Sequence, residues 1–298
     1  MTVETAVIPP KAKFSDYLEL TKPRLSLLSV LTAVVGYYAS KPEHSFLTLV
    51  YLFVFTSMAA AGVAALNQWL EYETDAQMDR TSLRPIPSGK VPTGSAFVLG
   101  FALCLFSCMG IFALIGHLAA LFAMLTVVTY LGWYTPAKKH SRWSTEIGAI
   151  AGALPPLIGW AAGEGRISAL GWILFAFMYF WQMPHFMAVA WIYRKDYSSV
   201  NFPMPTVTDD TGRWAAGYSF VNTLLLIAIS LLPYALHLVS IYFTVFVFFL
   251  GLWFLWCSIT FLKPNGRDQS ARKLFLASIT YLPLAFGALV IDRIFLKP

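Results

Sequence analysis

The 298 residues are 58% hydrophobic and only 12% charged, with a mean hydropathy of +0.64, a balance that excludes an ordinary soluble domain. The net charge of +6 calls for no nucleic-acid partner, because the anionic surface of a bilayer attracts the same basic residues. The first twenty residues carry acids and prolines with no apolar core, so no cleavable leader is expected.

Apolar stretches near the length that crosses hydrocarbon, about 17 to 25 residues, recur nine times, at 25–40, 46–69, 95–115, 117–134, 145–163, 168–192, 215–234, 238–262 and 274–293. Only helices or closed barrels satisfy their backbone in lipid. The expected fold is therefore all-α, a polytopic membrane bundle of about nine transmembrane helices. One membrane domain, 15–298, follows a short N-terminal tail, 1–14. Seventeen of the 21 lysines and arginines fall on the N-terminal side of this topology, leaving Lys41, Arg166, Arg293 and Lys297 on the other. The positive-inside rule then places the N-terminus and the loops after spans 2, 4, 6 and 8 in the cytoplasm. Cys104, Cys108 and Cys257 all lie inside spans and read as small buried hydrophobes.

At the end of span 2, Asn67, Glu71, Asp75 and Asp79 recur at four-residue spacing. Successive members of such a row drift only about 40° around a helix, so a helix continuing to Asp79 carries a polar stripe about 18 Å long. One acid in a membrane helix costs roughly 2.5 to 3.5 kcal/mol even on the mildest scale. A row of them therefore needs partners. Mg²⁺ sharing its shell between carboxylates and a substrate phosphate suits these oxygen donors; a solvated helix end is the plainer alternative. Next come Arg80, Arg84 and Lys90 in a loop stiffened by Pro85, Pro87 and Gly89. Guanidinium groups grip phosphate bidentately and lysine acts as a point charge, although anchoring at the membrane surface explains the same residues.

After span 4, YTPAKKHSRW from Tyr134 to Trp143 brings Lys138 and Lys139 to the same face. In span 6, His185 stands in WQMPHFM, deep in an apolar helix, where it needs a hydrogen-bond partner or a ligand. A satisfied core histidine, an iron ligand and an acid–base group all remain open. Just beyond, Asp196 is flanked by Tyr193, Arg194, Lys195 and Tyr197, a second ionic segment that could close an ion site opposite the first. Four spans separate the two segments, an echo that suggests two four-helix halves and a final helix.

An Asn followed by acids four and eight residues on, with a downstream Arg-Pro-x-Pro-x-Gly run, resembles the first motif of the UbiA-type intramembrane prenyltransferases. TKPR at Thr21 to Arg24, MDRT at Met78 to Thr81, YTPAKK at Tyr134 to Lys139, GALPPLIGW at Gly152 to Trp160, WQMPHF at Trp181 to Phe186, Asn201-Phe-Pro-Met204 and LFLASITYLPL at Leu274 to Leu284 are similar to the haem O synthase (protohaem IX farnesyltransferase) branch. The similarity runs from about residue 15 to the last span. Glu71 stands where the superfamily more often has Asp.

The resemblance implies a nine-helix bundle around a central, lipid-open cavity, with farnesyl diphosphate and haem B as substrates, haem O and diphosphate as products, and Mg²⁺ as cofactor. It implies metal ligation by Asn67, Glu71, Asp75, Asp79 and Asp196, and catalytic roles for Asn67, Glu71, Asp75, Arg80, Lys138 and Asp196. Substrate contacts are implied for Arg24, Arg84, Lys139 and His185, and for Tyr193, Arg194, Lys195 and Tyr197. A bacterial inner membrane is the expected location, with handover of product to a haem A synthase or to terminal oxidase assembly. An aromatic acid or quinone precursor as acceptor is the rival within the superfamily. An ion-coupled transporter is the rival outside it, but its acids belong near mid-membrane rather than beside basic loops.

Overall fold

The computed structural model describes residues 12–40 and 44–296. Most of the predicted tail, together with Lys41 and Lys297 of the charge count, lies outside the described residues. A short helix α1 (Phe14–Leu20) leads through Lys22, held at φ 47°, into α2 (Pro23–Ser40). Then come α3 (Phe46–Asp75), α4 (Thr93–Leu114), α5 (His117–Val128), a π-helical turn (Thr129–Tyr134), α6 (Thr135–His140), α7 (Ser144–Ala153), α8 (Pro155–Glu164) and α9 (Ala169–Ile192). The chain closes with two short helices, α10 (Arg194–Ser199) and α11 (Pro205–Thr208), and three long ones, α12 (Arg213–Ala235), α13 (Ile241–Leu262) and α14 (Arg267–Phe295).

Seven of the described helices are long and apolar enough to cross a membrane, counting His117–His140 as one. The other two predicted spans are α2 and the α7–α8 pair. The latter is not one continuous helix, because Pro155 and Pro156 follow Leu154 and neither can donate a backbone hydrogen bond. Pro at the first turn restarts the helix as α8, which Gly165 at φ 70° then ends. Ser45 and Ser240 cap α3 and α13 by accepting from Thr48 N and Phe243 N. Buried Asp292 of α14 accepts from the Ser240 backbone and hydroxyl, which ties the start of α13 to the end of α14.

Large apolar side chains such as Phe112, Phe249 and Trp256 are exposed around the bundle, as expected of a surface solvated by acyl chains. Inside, the apolar residues form two principal cores. One gathers Tyr37, Leu52, Ile111, Phe122, Leu157 and Ile158 from α2, α3, α4, α5 and α8. The other gathers Phe177, Trp181, Val247, Phe254 and Tyr281 chiefly from α9 and α12–α14, and takes in Ala39, Ala153 and Trp160 of α2, α7 and α8 where the two meet. The nine segments therefore divide five and four, not four, four and one. The physical reason lies in the seam between α2 and α8. A Cβ on Gly36 or Gly159 would collide with the backbone of Pro156 or Ala33, so these helices meet backbone to backbone and span 5 joins the first body.

Candidate active site

The polar residues collect at one end of the bundle, where α3 runs out. Asn67, Glu71 and Asp75 occupy one side of its last two turns and all three are buried. They line an ionic cavity of about 170 Å³ that also takes in Lys22, Arg80, Arg84, Lys138 and Tyr197. Each acid has a cation. Arg84 Nη1 lies 2.5 Å from Asp75 Oδ2, and Lys138 Nζ lies 3.0 and 3.1 Å from the two Glu71 oxygens. Asn67 donates from Nδ2 to Glu71 Oε2 at 2.9 Å and to Thr135 Oγ1 at 3.2 Å. Its Oδ1 is the atom left to face a ligand. Thr135 Oγ1 in turn donates to the carbonyl of Tyr130 at 2.9 Å, which couples the acidic helix to the π-turn.

Across the cavity, Arg80 lies 3.9 Å from Asp196 and stacks over the rings of Tyr193 and Tyr197, 5.1 and 4.7 Å from their centroids. The pair is partly solvated, and its Coulomb term is correspondingly small. Asp75 thus lines the cavity directly, whereas Asp196, expected as a metal ligand, stands outside the lining and meets it only through Arg80. Among the described residues no three His, Cys, Asp or Glu side chains are gathered closely enough to hold a metal by themselves.

Other candidates stand elsewhere. The helix stops at Asp75 and Ala76 opens a turn, so Asp79 leaves the expected stripe and is exposed, away from the cavity lining. Arg24, Lys139 and Lys195 are exposed and line none of the cavities described here. Arg194 turns to α14, 3.2 Å from Asp268, and donates to the Trp191 carbonyl. Trp191 Nε1 donates to Asp268 as well, at 2.7 Å, so this cluster anchors the α9–α10 corner. Tyr193 reaches the site only through Arg80.

Two apolar chambers adjoin the ionic cavity. The first, about 230 Å³, runs between α2, α3, α5, α7 and α8, with Ala59, Ala60, Val63 and Ala64 of α3 along one wall. The second, about 260 Å³, lies between the two bodies and is walled by Trp181, His185, Phe186, Tyr134 and Met204. The WQMPHF segment is fixed by its polar atoms. Trp181 Nε1 donates to the Ser278 carbonyl at 3.0 Å, and Gln182 Nε2 donates to Met178 O and Ala149 O at 3.0 and 3.2 Å. The Ser278 hydroxyl gives its single hydrogen to Phe275 O at 2.6 Å, so His185 Nδ1–H is the donor in the 2.8 Å contact with Ser278 Oγ. The ring is then the Nδ1–H tautomer, and its Nε2 lone pair is available in the chamber.

Two residues of the site were not among the expected ones, although Lys22 stands within the TKPR motif. Lys22 lines both the ionic cavity and the first chamber. Burial, with the charges of Arg84 and Lys138, lowers its pKa from 10.5 to about 7. Its left-handed backbone, uncommon for a residue with a Cβ, turns it inward where Arg24 turns out. Tyr130 borders all three cavities. It lies within an apolar run and carries no charge that would single it out.

Comparison with known proteins agrees with this architecture. The family model for the UbiA prenyltransferase family matches residues 29–279. The chain is 62% identical over 285 residues to a protoheme IX farnesyltransferase of Opitutus terrae, covering 96% of this chain and 97% of that one. It is 37% identical to proteins of the same name from Solibacter usitatus and Salinibacter ruber, covering 93% of this chain and 98% of each. Among solved structures, one of a digeranylgeranylglyceryl phosphate synthase in membranes superposes with a TM-score of 0.80 at 18% identity, over 95% of this chain and 99% of that one. A UbiA homolog from Archaeoglobus fulgidus bound to GPP and Mg²⁺ gives 0.67 at 13% identity, over 92% and 99%. These two likenesses speak to the fold; the sequence matches, which span nearly the whole chain, establish that it belongs to the UbiA prenyltransferase family and groups there with the protoheme IX farnesyltransferases.

Proposed function

We propose that this protein transfers the farnesyl group of farnesyl diphosphate to a vinyl group of haem B, with addition of water, giving haem O and diphosphate. The relatives' shared name supports the choice of substrates. The observation that carries the chemistry is an ionic cavity opening onto two separate apolar chambers, one of which presents an imidazole with a free Nε2. Such a plan suits a donor with an anionic head and an isoprenoid tail, meeting an acceptor that is itself a large apolar ring.

In this reading Lys22, Arg80, Arg84 and Lys138 receive the diphosphate oxygens, exchanging some of their present carboxylate partners for phosphate. Asn67 Oδ1 and the carboxylates of Glu71 and Asp75 are hard oxygen donors of the kind Mg²⁺ takes when phosphate oxygens and water complete its shell. Bound there, Mg²⁺ supplies positive charge against the negative charge that builds on the leaving group. Asp196 contributes from the opposite side through Arg80. The tail occupies the first chamber, whose apolar walls exclude water from the allylic carbon. Haem B occupies the second, within reach of His185.

The allylic C–O bond breaks with its electron pair going to diphosphate, and the vinyl π pair closes the new C–C bond. Water adds to the carbon left positive beside the porphyrin and loses one proton to solvent. The cations of the cavity act on the first step, where charge develops and where fixed opposite charge lowers a barrier most. No protein nucleophile is needed.

We place the protein in a bacterial inner membrane and, on the strength of the basic asymmetry, its N-terminus in the cytoplasm. Haem O, amphipathic and bilayer-held, would then pass on to a haem A synthase or to oxidase assembly. Incubation of the purified protein with haem B, farnesyl diphosphate and Mg²⁺, followed by mass analysis of the porphyrin, tests the activity. The expected product carries a hydroxyethylfarnesyl group in place of one vinyl group, a gain of one farnesyl and one hydroxyl. Unchanged porphyrin beside prenylated 4-hydroxybenzoate in a parallel reaction would replace this reading with the aromatic-acceptor one.

A further inference from the structure

Resting on the prenyl-transfer reading above, we propose that Tyr130 is a catalytic residue whose ring face receives the allylic cation as the C–O bond breaks. Location is the first ground. Among the described residues Tyr130 alone lines the ionic cavity, the apolar chamber beside it and the acceptor chamber. A reaction that joins the contents of two chambers at the mouth of the third has to occur at that shared border.

The second ground is which rings are free. Three tyrosines stand at the border, and two already hold a cation. Lys138 Nζ sits 4.5 Å from the centroid of Tyr134, and the Arg80 guanidinium sits 4.7 Å from that of Tyr197. A ring's quadrupole attracts positive charge, but the cation already on it repels a second. Among the described residues no cation is stacked on Tyr130, whose ring meets the Tyr134 ring at 5.0 Å and 67°. An electron-rich face is thus left for a transient cation, in a chamber poor in competing water.

The third ground is how the residue is held. Tyr130 lies in a π-helical turn, a distortion that recurs at functional sites. Its carbonyl accepts from both the backbone N–H and the hydroxyl of Thr135, and that hydroxyl also accepts from Asn67. The acidic helix therefore sets where the ring stands. In the step itself the allylic C–O bond breaks heterolytically, both electrons leave with diphosphate, and the Tyr130 ring stabilises the positive carbon without bonding to it until the vinyl pair arrives.

The test replaces Tyr130 by Phe, by increasingly fluorinated phenylalanines and by Leu. Fluorination drains the quadrupole at nearly constant shape, which a purely structural role would not register. For a desolvated contact of this kind, kcat is expected to fall progressively to about 30-fold below the Phe variant, with KM for farnesyl diphosphate changed less than about threefold. In a separate binding assay, farnesylamine, a positively charged mimic, is bound with inorganic diphosphate and Mg²⁺ present. Its affinity should fall along the same series while that of farnesol stays level. A flat kcat across the fluorinated set, or farnesylamine tracking farnesol, overturns the proposal. Wild type that yields no farnesylated haem would instead sink the functional reading, and the farnesylamine series still decides on Tyr130.

Discussion

Asp75 illustrates how a buried charge is made tolerable and useful at once. Its side chain is 2% exposed, and Arg84 at 2.5 Å supplies the counter-charge. Removing one partner of a pair this buried strands the other. Asp75→Asn is therefore expected to lower turnover at least ~100-fold, the scale of losing one fixed charge at a charge-developing centre, while the protein still elutes as a folded species in detergent. Wild-type turnover would remove Asp75 from the site. Lys22 makes a pH-dependent prediction. Its pKa near 7, against 10.5 for an unburied lysine, means that between those values the folded protein holds it neutral while the unfolded chain keeps the proton. Stability from this group thus rises with pH across that window. A bound diphosphate reverses the balance by raising the pKa, so binding near pH 8 should take up a proton. Calorimetry in buffers of different ionisation heat measures this, and Lys22→Met should abolish it. His185→Ala is expected to weaken haem B binding, followed by its absorption spectrum, more than farnesyl diphosphate binding.

These residues also mark what can be read from a chain. Asn67, Glu71 and Asp75 announce themselves because helix periodicity is a local property and acids in lipid need a reason. Asp79 continues the arithmetic but not the helix, which no periodicity test detects once the turn begins at Ala76. Lys22 was hidden by a backbone reversal that put it, not Arg24, inside. The partner of His185 lies 93 positions away, a pairing only the folded chain reveals.

Between elements, legibility depended on what contact requires. Nine apolar stretches were countable, and most of their ends fell close to those of the observed helices, although α3 runs on past 69 to Asp75 and α14 begins at Arg267, well before 274. The break at Leu154 follows from the Pro-Pro pair, and the five-and-four grouping from glycines whose partners lie on another helix. Gly159 gives the sharpest test of that seam. A Cβ there meets the Ala33 carbonyl, backbone against backbone, so neither side can move away by a rotamer change. Gly159→Val is expected to cost at least about 1–3 kcal/mol and to lower the unfolding temperature. Gly217 in α12 has open space where a Cβ would go. Gly217→Ala should be neutral or stabilising by up to about 1 kcal/mol. Equal effects at the two positions would contradict the close-packed reading of the α2–α8 contact.

For the molecule as a whole, the distribution of basic residues sets a polarity that the helices alone do not. Reporter fusions or cysteine labelling should find the N-terminus and the Arg80–Lys90 loop on the cytoplasmic side of intact cells. Labelling of that loop only from the opposite side would invert the proposed orientation. The ionic cavity, both arginine bridges and the π-turn all lie at this one end, so diphosphate is expected to be drawn from, and returned to, the same compartment.

The two apolar chambers differ in who owns their walls. The chamber proposed for the donor's tail is built from one body alone, α2 through α8, whose backbone-to-backbone seam leaves little give. The chamber proposed for the acceptor is shared, with α2 and α7 on one flank and α9 and α14 on the other. A small swing of one body against the other therefore alters the gap offered to a flat macrocycle while the slot for the isoprenoid keeps its bore. Discrimination among prenyl lengths should resist changes in lipid thickness or detergent, whereas the rate at which the porphyrin enters and leaves should follow them.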